Sequence, residues 1–175
     1  MRERANKLSR PVLTPPSSEP GDSEIEASSQ DLRIVSVPEL SEDAVRRSGI
    51  DRGMRVLDLQ CGSGEASLLI ARLTGYSGLV VGVDRSAEAV DAAERRVRVA
   101  GCCYWTRFVT ADPIAFVPHG RFDAVVIRLA LLRQVQRVTF LRLAACVRPG
   151  GIMLVSGKPE GDAAAILHRF GQRLS

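Results

Sequence analysis

Short apolar runs alternate along this chain with segments whose apolar positions recur at helical spacing. Met54 to Leu59 is an apolar run carrying one acid, Asp58, and Gly62-Ser63-Gly64 follows it closely. Glu65 to Thr74 then reads as a helix stopped by Gly75. Gly78 to Asp84 is almost continuously apolar, as a strand covered on both faces must be. Ser86 is a good N-cap for a helix over Ala87 to Ala100, with Val90, Ala93, Val97 and Ala100 on one face. Asp91 with Arg95, and Glu94 with Arg98, are spaced to pair on its solvent side, and Gly101 ends it. Trp105 to Thr110 and Phe122 to Ile127 read as the third and fourth strands. Leu131 to Val147 reads as mostly helical, broken by Pro149-Gly150-Gly151 before a fifth strand, Ile152 to Ser156. Upstream, Asp31 to Val37 is a short extended piece, and Ser41 opens a helix running to about Arg47. Asp162 is placed to cap a last helix with Ile166, Leu167 and Phe170 on its apolar face.

Strands alternating with helices predict an α/β fold with a doubly wound, mostly parallel sheet. Ligands of such sheets sit beyond the C-terminal strand ends. The polar residues at those ends are therefore the candidates for function. The glycines after the first strand let a backbone approach a ligand closely, and the helix start behind them offers free N–H groups. Asp84 ends the second strand 20 residues beyond Gly64, where a ribose-binding acid is expected; its plainer reading is a solvated turn acid before Ser86. A dinucleotide fingerprint wants a third glycine where Ser67 stands, which weakens the NAD reading. Asp112 follows the third strand in an Asp-Pro step, which is otherwise an ordinary turn.

Composition changes this picture little. The 175 residues suffice for one domain with a core, and 45% hydrophobic with 25% charged residues is ordinary for a globular chain. A net charge of +4 permits an acidic partner without demanding one. The cysteines, Cys61, Cys102, Cys103 and Cys146, have spacing that suits neither a zinc site nor a disulfide framework, so no metal is expected and free thiols are the default. No apolar run approaches a membrane span, and Arg2, Arg4 and Lys7 lack a following apolar region, so the cytoplasm is the expected location. Residues 1–30 are rich in Pro, Ser, Glu and Arg and read as a disordered tail, leaving 31–175 as the folded domain.

The order of motifs carries a resemblance. Val56-Leu57-Asp58-Leu59-Gln60-Cys61-Gly62-Ser63-Gly64 resembles the first motif of class I S-adenosylmethionine-dependent methyltransferases. Asp84, Asp112, the fourth-strand run Phe122-Asp123-Ala124-Val125-Val126 and the Val147-Arg148-Pro149-Gly150-Gly151-Ile152 turn follow in that family's order. The resemblance implies a Rossmann-like methyltransferase core and S-adenosylmethionine as cofactor. It implies cofactor contacts from Asp58, Gln60, Cys61, Gly62 and Gly64, from Asp84 and Arg85, from Ala111 and Asp112, and from Arg128. Asp84 would hold the ribose hydroxyls, Asp112 the adenine amino group, and Asp58 the loop and the methionine end. No catalytic residue stands out; His119 in a Pro-His-Gly loop reads as exposed, and Arg128 reads equally as a surface helix-start residue.

Two departures from the family pattern bear on activity. Gln60 stands where the family has its first glycine, so a positive φ there would cost of the order of 1 kcal/mol. The family usually adds two strands after the fifth, and these are not visible here, which predicts an exposed fifth-strand edge and self-association through it. The expected function is methyl transfer to a small-molecule acceptor, with no membrane partner and no nucleic acid. The alternatives are a catalytically inactive cofactor-binding or interaction domain and, further off, a dinucleotide-binding domain.

Overall fold

In the computed structural model, which describes residues 32–118, 120–157, 165, 166 and 168, the strands pair into one sheet. In chain order the elements are β1 (Arg33–Val37), α1 (Glu42–Arg47), β2 (Arg55–Leu59), α2 (Glu65–Thr74), β3 (Leu79–Asp84) and α3 (Ala87–Val99), then β4 (Thr106–Thr110), β5 (Phe122–Arg128), α4 (Leu129–Leu132), α5 (Arg137–Ala145) and β6 (Val147–Ser156). The sheet has six strands in the order β1-β6-β5-β2-β3-β4, and all its pairings are parallel. Chain order reverses between β2 and β5, and that switch places the C-terminal ends of β2, β3 and β5 around one crevice.

Successive side chains of a strand point to opposite faces. Leu57, Leu59, Val125, Ile127, Met153 and Val155 accordingly pack on one face with Phe140 and Leu143 of α5. Val56, Ala124, Val126, Ile152 and Leu154 pack on the other with Ile70 and Ala71 of α2 and Val97 of α3. Both faces are covered, which accounts for strands without polar alternation. The caps follow the sequence: Ser41 Oγ accepts from Ala44 N and Ser86 Oγ from Ala89 N.

The expected bare edge on the fifth strand is not there. The extended piece near the N-terminus is strand β1, and it pairs along β6 from Arg33 against Ile152 to Val37 against Ser156. Ile34 is fully buried in the core, and the Arg33 guanidinium donates to Ser48 O, tying the strand to the end of α1. Among the described residues the outer strands are thus β1 and β4, and self-association through a β6 edge loses its basis.

Three further expectations need adjustment. The helix expected over Leu131 to Val147 is two helices, α4 and α5, and β6 starts already at Val147. The Pro149-Gly150-Gly151 turn therefore lies inside the strand, where the β5–β6 register shifts between Phe122 and Ala124. At Gly151 a Cβ would come within 2.8 Å of Asp123 O, so the close approach requires glycine. Neither the Asp91–Arg95 nor the Glu94–Arg98 pair forms; Arg96 instead reaches Glu65 at 3.3 Å and Ser63 O at 2.9 Å, bracing the glycine turn from α3. In the region of the last helix, Ala165, Ile166 and His168 are helical and Ile166 is buried in the core; Asp162, Leu167 and Phe170 lie outside the described residues, as do His119 and the 1–30 tail.

Candidate functional site

The site is built where β2 runs into α2. Asp58 is the fourth residue of β2 and is fully buried on the face that α2 covers. Gln60 then turns with φ 63°, the one non-glycine residue at positive φ among those described. Gly62 at φ 54° and Gly64 at φ 78° complete the turn. These angles carry a steric penalty for a residue with a Cβ, which explains the glycines and marks Gln60 as strained. The close approach at Gly64 adds a second reason: a Cβ there would sit 2.6 Å from Ala93 Cβ of α3. At Gly62 a Cβ would meet nothing within 4 Å, so the space in front of the loop is open.

Asp84 fastens the loop. Its Oδ2 accepts from Gly62 N at 2.8 Å and its Oδ1 from Ser86 N at 3.0 Å. One carboxylate thereby joins the glycine turn, the end of β3 and the start of α3. Two of its roughly four lone-pair positions remain for a ligand. Cys61 is buried behind the loop, where Gly82 leaves room for its sulfur and for the Phe108 ring. Burial, with Asp58 and Asp84 close by, pushes its thiol up to about 12, so it is not a nucleophile at neutral pH.

Next along the crevice, Ala111 N donates to Asp84 O at 2.9 Å, holding the end of β4 against the end of β3. Asp112 Oδ1 accepts from Ile114 N at 2.9 Å, and Arg85 Nη2 reaches both Asp112 oxygens at 2.8 and 2.9 Å. The Ile114 amide and the Arg85 guanidinium hold the Asp112 carboxyl below its usual range. Arg128, half-buried at the end of β5, acts electrostatically on Asp58 from the other side.

The residue that sequence reasoning missed is Ser67. It entered only as the absent third glycine, yet it is fully buried on α2 and its hydroxyl donates to Asp58 Oδ2 at 2.6 Å. A hydroxyl among Ala66, Ile70 and Ala71 on the inward face of α2 was the available signal. The other Asp58 oxygen, Oδ1, is buried without a partner among the described residues. Desolvation raises the Asp58 pKa to about 6, against lowering by the Ser67 hydrogen bond and by Arg128. The structure thus brings Asp58, Cys61, Asp84 and Arg128 together behind the loop and sets Arg85 and Asp112 as a pair at the far end; Gln60 is exposed at the mouth. No cluster of metal-ligating side chains occurs among the described residues.

A family model described as "Methyltransferase domain" matches residues 56–151, from β2 into β6. The chain is 33% identical over 113 residues to a ubiquinone/menaquinone biosynthesis C-methyltransferase, UbiE, of Azotobacter vinelandii, covering 63% of this chain and 45% of the relative. It is 36% identical over 121 residues to a ubiquinone biosynthesis O-methyltransferase of Rhizobium rhizogenes, covering 67% and 46%. The chain therefore spans a little under half the length of these curated relatives. Among solved structures, a SAM-dependent methyltransferase from Geobacter sulfurreducens in complex with S-adenosyl-L-homocysteine matches with TM-score 0.56 and 25% identity, over 75% of this chain and 53% of that one.

Proposed function

The chain belongs to the methyltransferase-domain family, and from that premise we propose that its crevice binds S-adenosylmethionine for methyl transfer to a small-molecule acceptor. The observation that carries the reading is the Asp84 carboxylate, which joins the Gly62 amide to the start of α3 and stays half-buried, not enclosed, at the end of β3. The residues fit the cofactor on two counts. A sugar needs a carboxylate at a strand end, and Asp84 has spare acceptor positions. The amino-acid end needs a backbone donor; the Cys61, Gly62 and Gly64 amides already donate within the fold, which leaves Ser63 N in the turn for it, and the fully buried Asp58 would act through the loop it supports. Asp112 and Arg85 would face the base, and Arg128 the carboxylate of the methionine part.

When bound, S-adenosylmethionine supplies an electrophilic methyl group. The chain's part is to bind, orient and exclude water, which accounts for a large share of the barrier in an in-line displacement. Asp84 fixes the loop, Ser67 holds the Asp58 carboxyl in one orientation, and Arg96 braces the turn from outside. The relatives named above are a ubiquinone/menaquinone C-methyltransferase and a ubiquinone O-methyltransferase, so a quinol-type ring is the first acceptor to try.

Isothermal titration with S-adenosylmethionine, S-adenosylhomocysteine and NAD tests the binding half. The expected result is binding of the first two and none of NAD. Radiolabelled methyl transfer to a demethylquinol tests the other half. Tight binding without transfer to any acceptor would leave a cofactor-binding domain that is not an enzyme by itself; binding of NAD instead would remove the reading.

A further inference from the structure

The end of the sheet away from the crevice carries a surface that cofactor binding does not use. Helices α2 and α3 run back from the crevice, so their C-terminal ends arrive where β3 and β4 begin. Two stretches of chain meet there, residues 66–83 and 95–111, and neither contains an Asp or Glu. Arg72, Arg95, Arg98 and Arg107 lie on them, and none of the four has a carboxylate partner among the described residues. Asp51, on the loop beside the α2 C-terminus, accepts from Arg52 N, and Asp91 and Glu94, one turn before Arg95 and Arg98 on α3, make no ion pair with them. Among the described residues, three of the five exposed large apolar side chains belong to the same stretches: Tyr76 at 82%, Val99 at 91% and Tyr104 at 84% exposure. Exposed apolar groups scattered singly mean little, but a cluster inside an unpaired basic surface does.

The cluster is held rigidly. Trp105 Nε1 donates to Ala71 O at 2.8 Å, binding the α3–β4 loop to the end of α2. Thr106 Oγ1 donates to Cys102 O at 3.0 Å, and the Arg107 guanidinium donates to the carbonyls of Cys103, Tyr104 and Thr106. Arg72 lies close enough to act electrostatically on Cys102 in that loop. Tyr104 is thus presented outward from a loop that these hydrogen bonds hold in place.

We propose that this end of the domain docks on an anionic lipid surface, arginines at the phosphates and Tyr76, Val99 and Tyr104 in the headgroup layer. Tyrosine suits that layer because one end of the ring is apolar and the other hydrogen-bonds water. Tyr76 on the turn after α2, Val99 at the last position of α3 and Tyr104 on the α3–β4 loop all stand at this end of the sheet. Exposed Val99 among the arginines gains from an apolar layer, which the phosphates and sugars of a nucleic acid do not offer. Attachment is peripheral, since no helix among the described residues is long and apolar enough to cross a membrane. The crevice, at the opposite end, stays open.

Co-sedimentation of the full chain with vesicles of phosphatidylcholine alone, and of phosphatidylcholine with phosphatidylglycerol, tests this. Binding is expected only to the anionic vesicles, with release as salt rises. Arg72→Gln with Arg98→Gln should weaken it by about 25-fold, roughly fivefold per arginine, while Arg72→Lys with Arg98→Lys retains it. Tyr104→Ser with Tyr76→Ser should lower binding at every salt concentration. Circular-dichroism melting verifies that each variant is folded, and an unchanged cofactor titration separates this surface from the crevice. Equal binding to neutral vesicles, no binding to either, or single-stranded RNA displacing the vesicles would overturn the proposal.

Discussion

Replacing Asp58 by Asn isolates the cost of one buried charge. Asp58 is fully buried, and only one of its oxygens has a hydrogen-bond partner among the described residues. Its pKa is raised from 3.8 to about 6, chiefly by desolvation. A raised folded-state pKa means that the protonated group favours folding. That contribution is fully present below the unfolded pKa near 3.8 and is lost as pH rises through about 6. A shift of about two units corresponds to about 3 kcal/mol. Asn keeps the shape, and its carbonyl oxygen can still accept from Ser67, but it never ionises. The stability of Asp58→Asn relative to the parent should therefore rise by about 3 kcal/mol from about pH 3 to about pH 8. Urea unfolding of both proteins at several pH values measures it, and the difference cancels groups common to both. Asp112, whose carboxyl is held low and so costs stability on acidification, is one of those. A difference that stays flat with pH, or that moves in the parent's favour as pH rises, would refute the account of a desolvated, half-satisfied carboxyl.

Gln60→Gly should stabilise the fold by about 0.5–1 kcal/mol, the αL penalty less the entropy of an added glycine; thermal melting reads it, and a less stable variant would show that the Gln60 side chain has a compensating contact. Ile34→Ala, at a fully buried position of β1, should cost about 2–5 kcal/mol in urea unfolding, whereas an unaffected midpoint would mean that the strand is not part of the cooperative unit. Asp84→Ala should weaken S-adenosylmethionine binding by roughly 1.5–3 kcal/mol, the range for a charge-assisted hydrogen bond; an unchanged titration in a folded variant would remove its ribose role.

The local elements were legible because their causes are local. A glycine at each end bounds α2, Ser86 caps α3, and near-continuous apolar runs mark β3 and β5 as strands covered on both faces. The positions of Asp58, Asp84 and Asp112 at strand ends follow from the same punctuation, as does the crevice they share. Even the positive φ of Gln60 was foreseeable from its place in a glycine turn. Tertiary structure decided what depends on partners distant in sequence. β1 could not be assigned its place from a short extended run, because strand pairing is chosen by the edge available, and that edge, β6, lies more than a hundred residues away. Ser67 could not be linked to Asp58 until α2 packed over β2, nor Arg85 to Asp112 until β3 and β4 lay side by side. The same holds for the solvent-side charges: helical spacing allowed Arg95 and Arg98 to pair with acids on their own helix, but exposed pairs gain little over hydration, and neither formed. Spacing along the chain fixes which side chains share a face, whereas burial and hydrogen bonding across the sheet decide which of them meet.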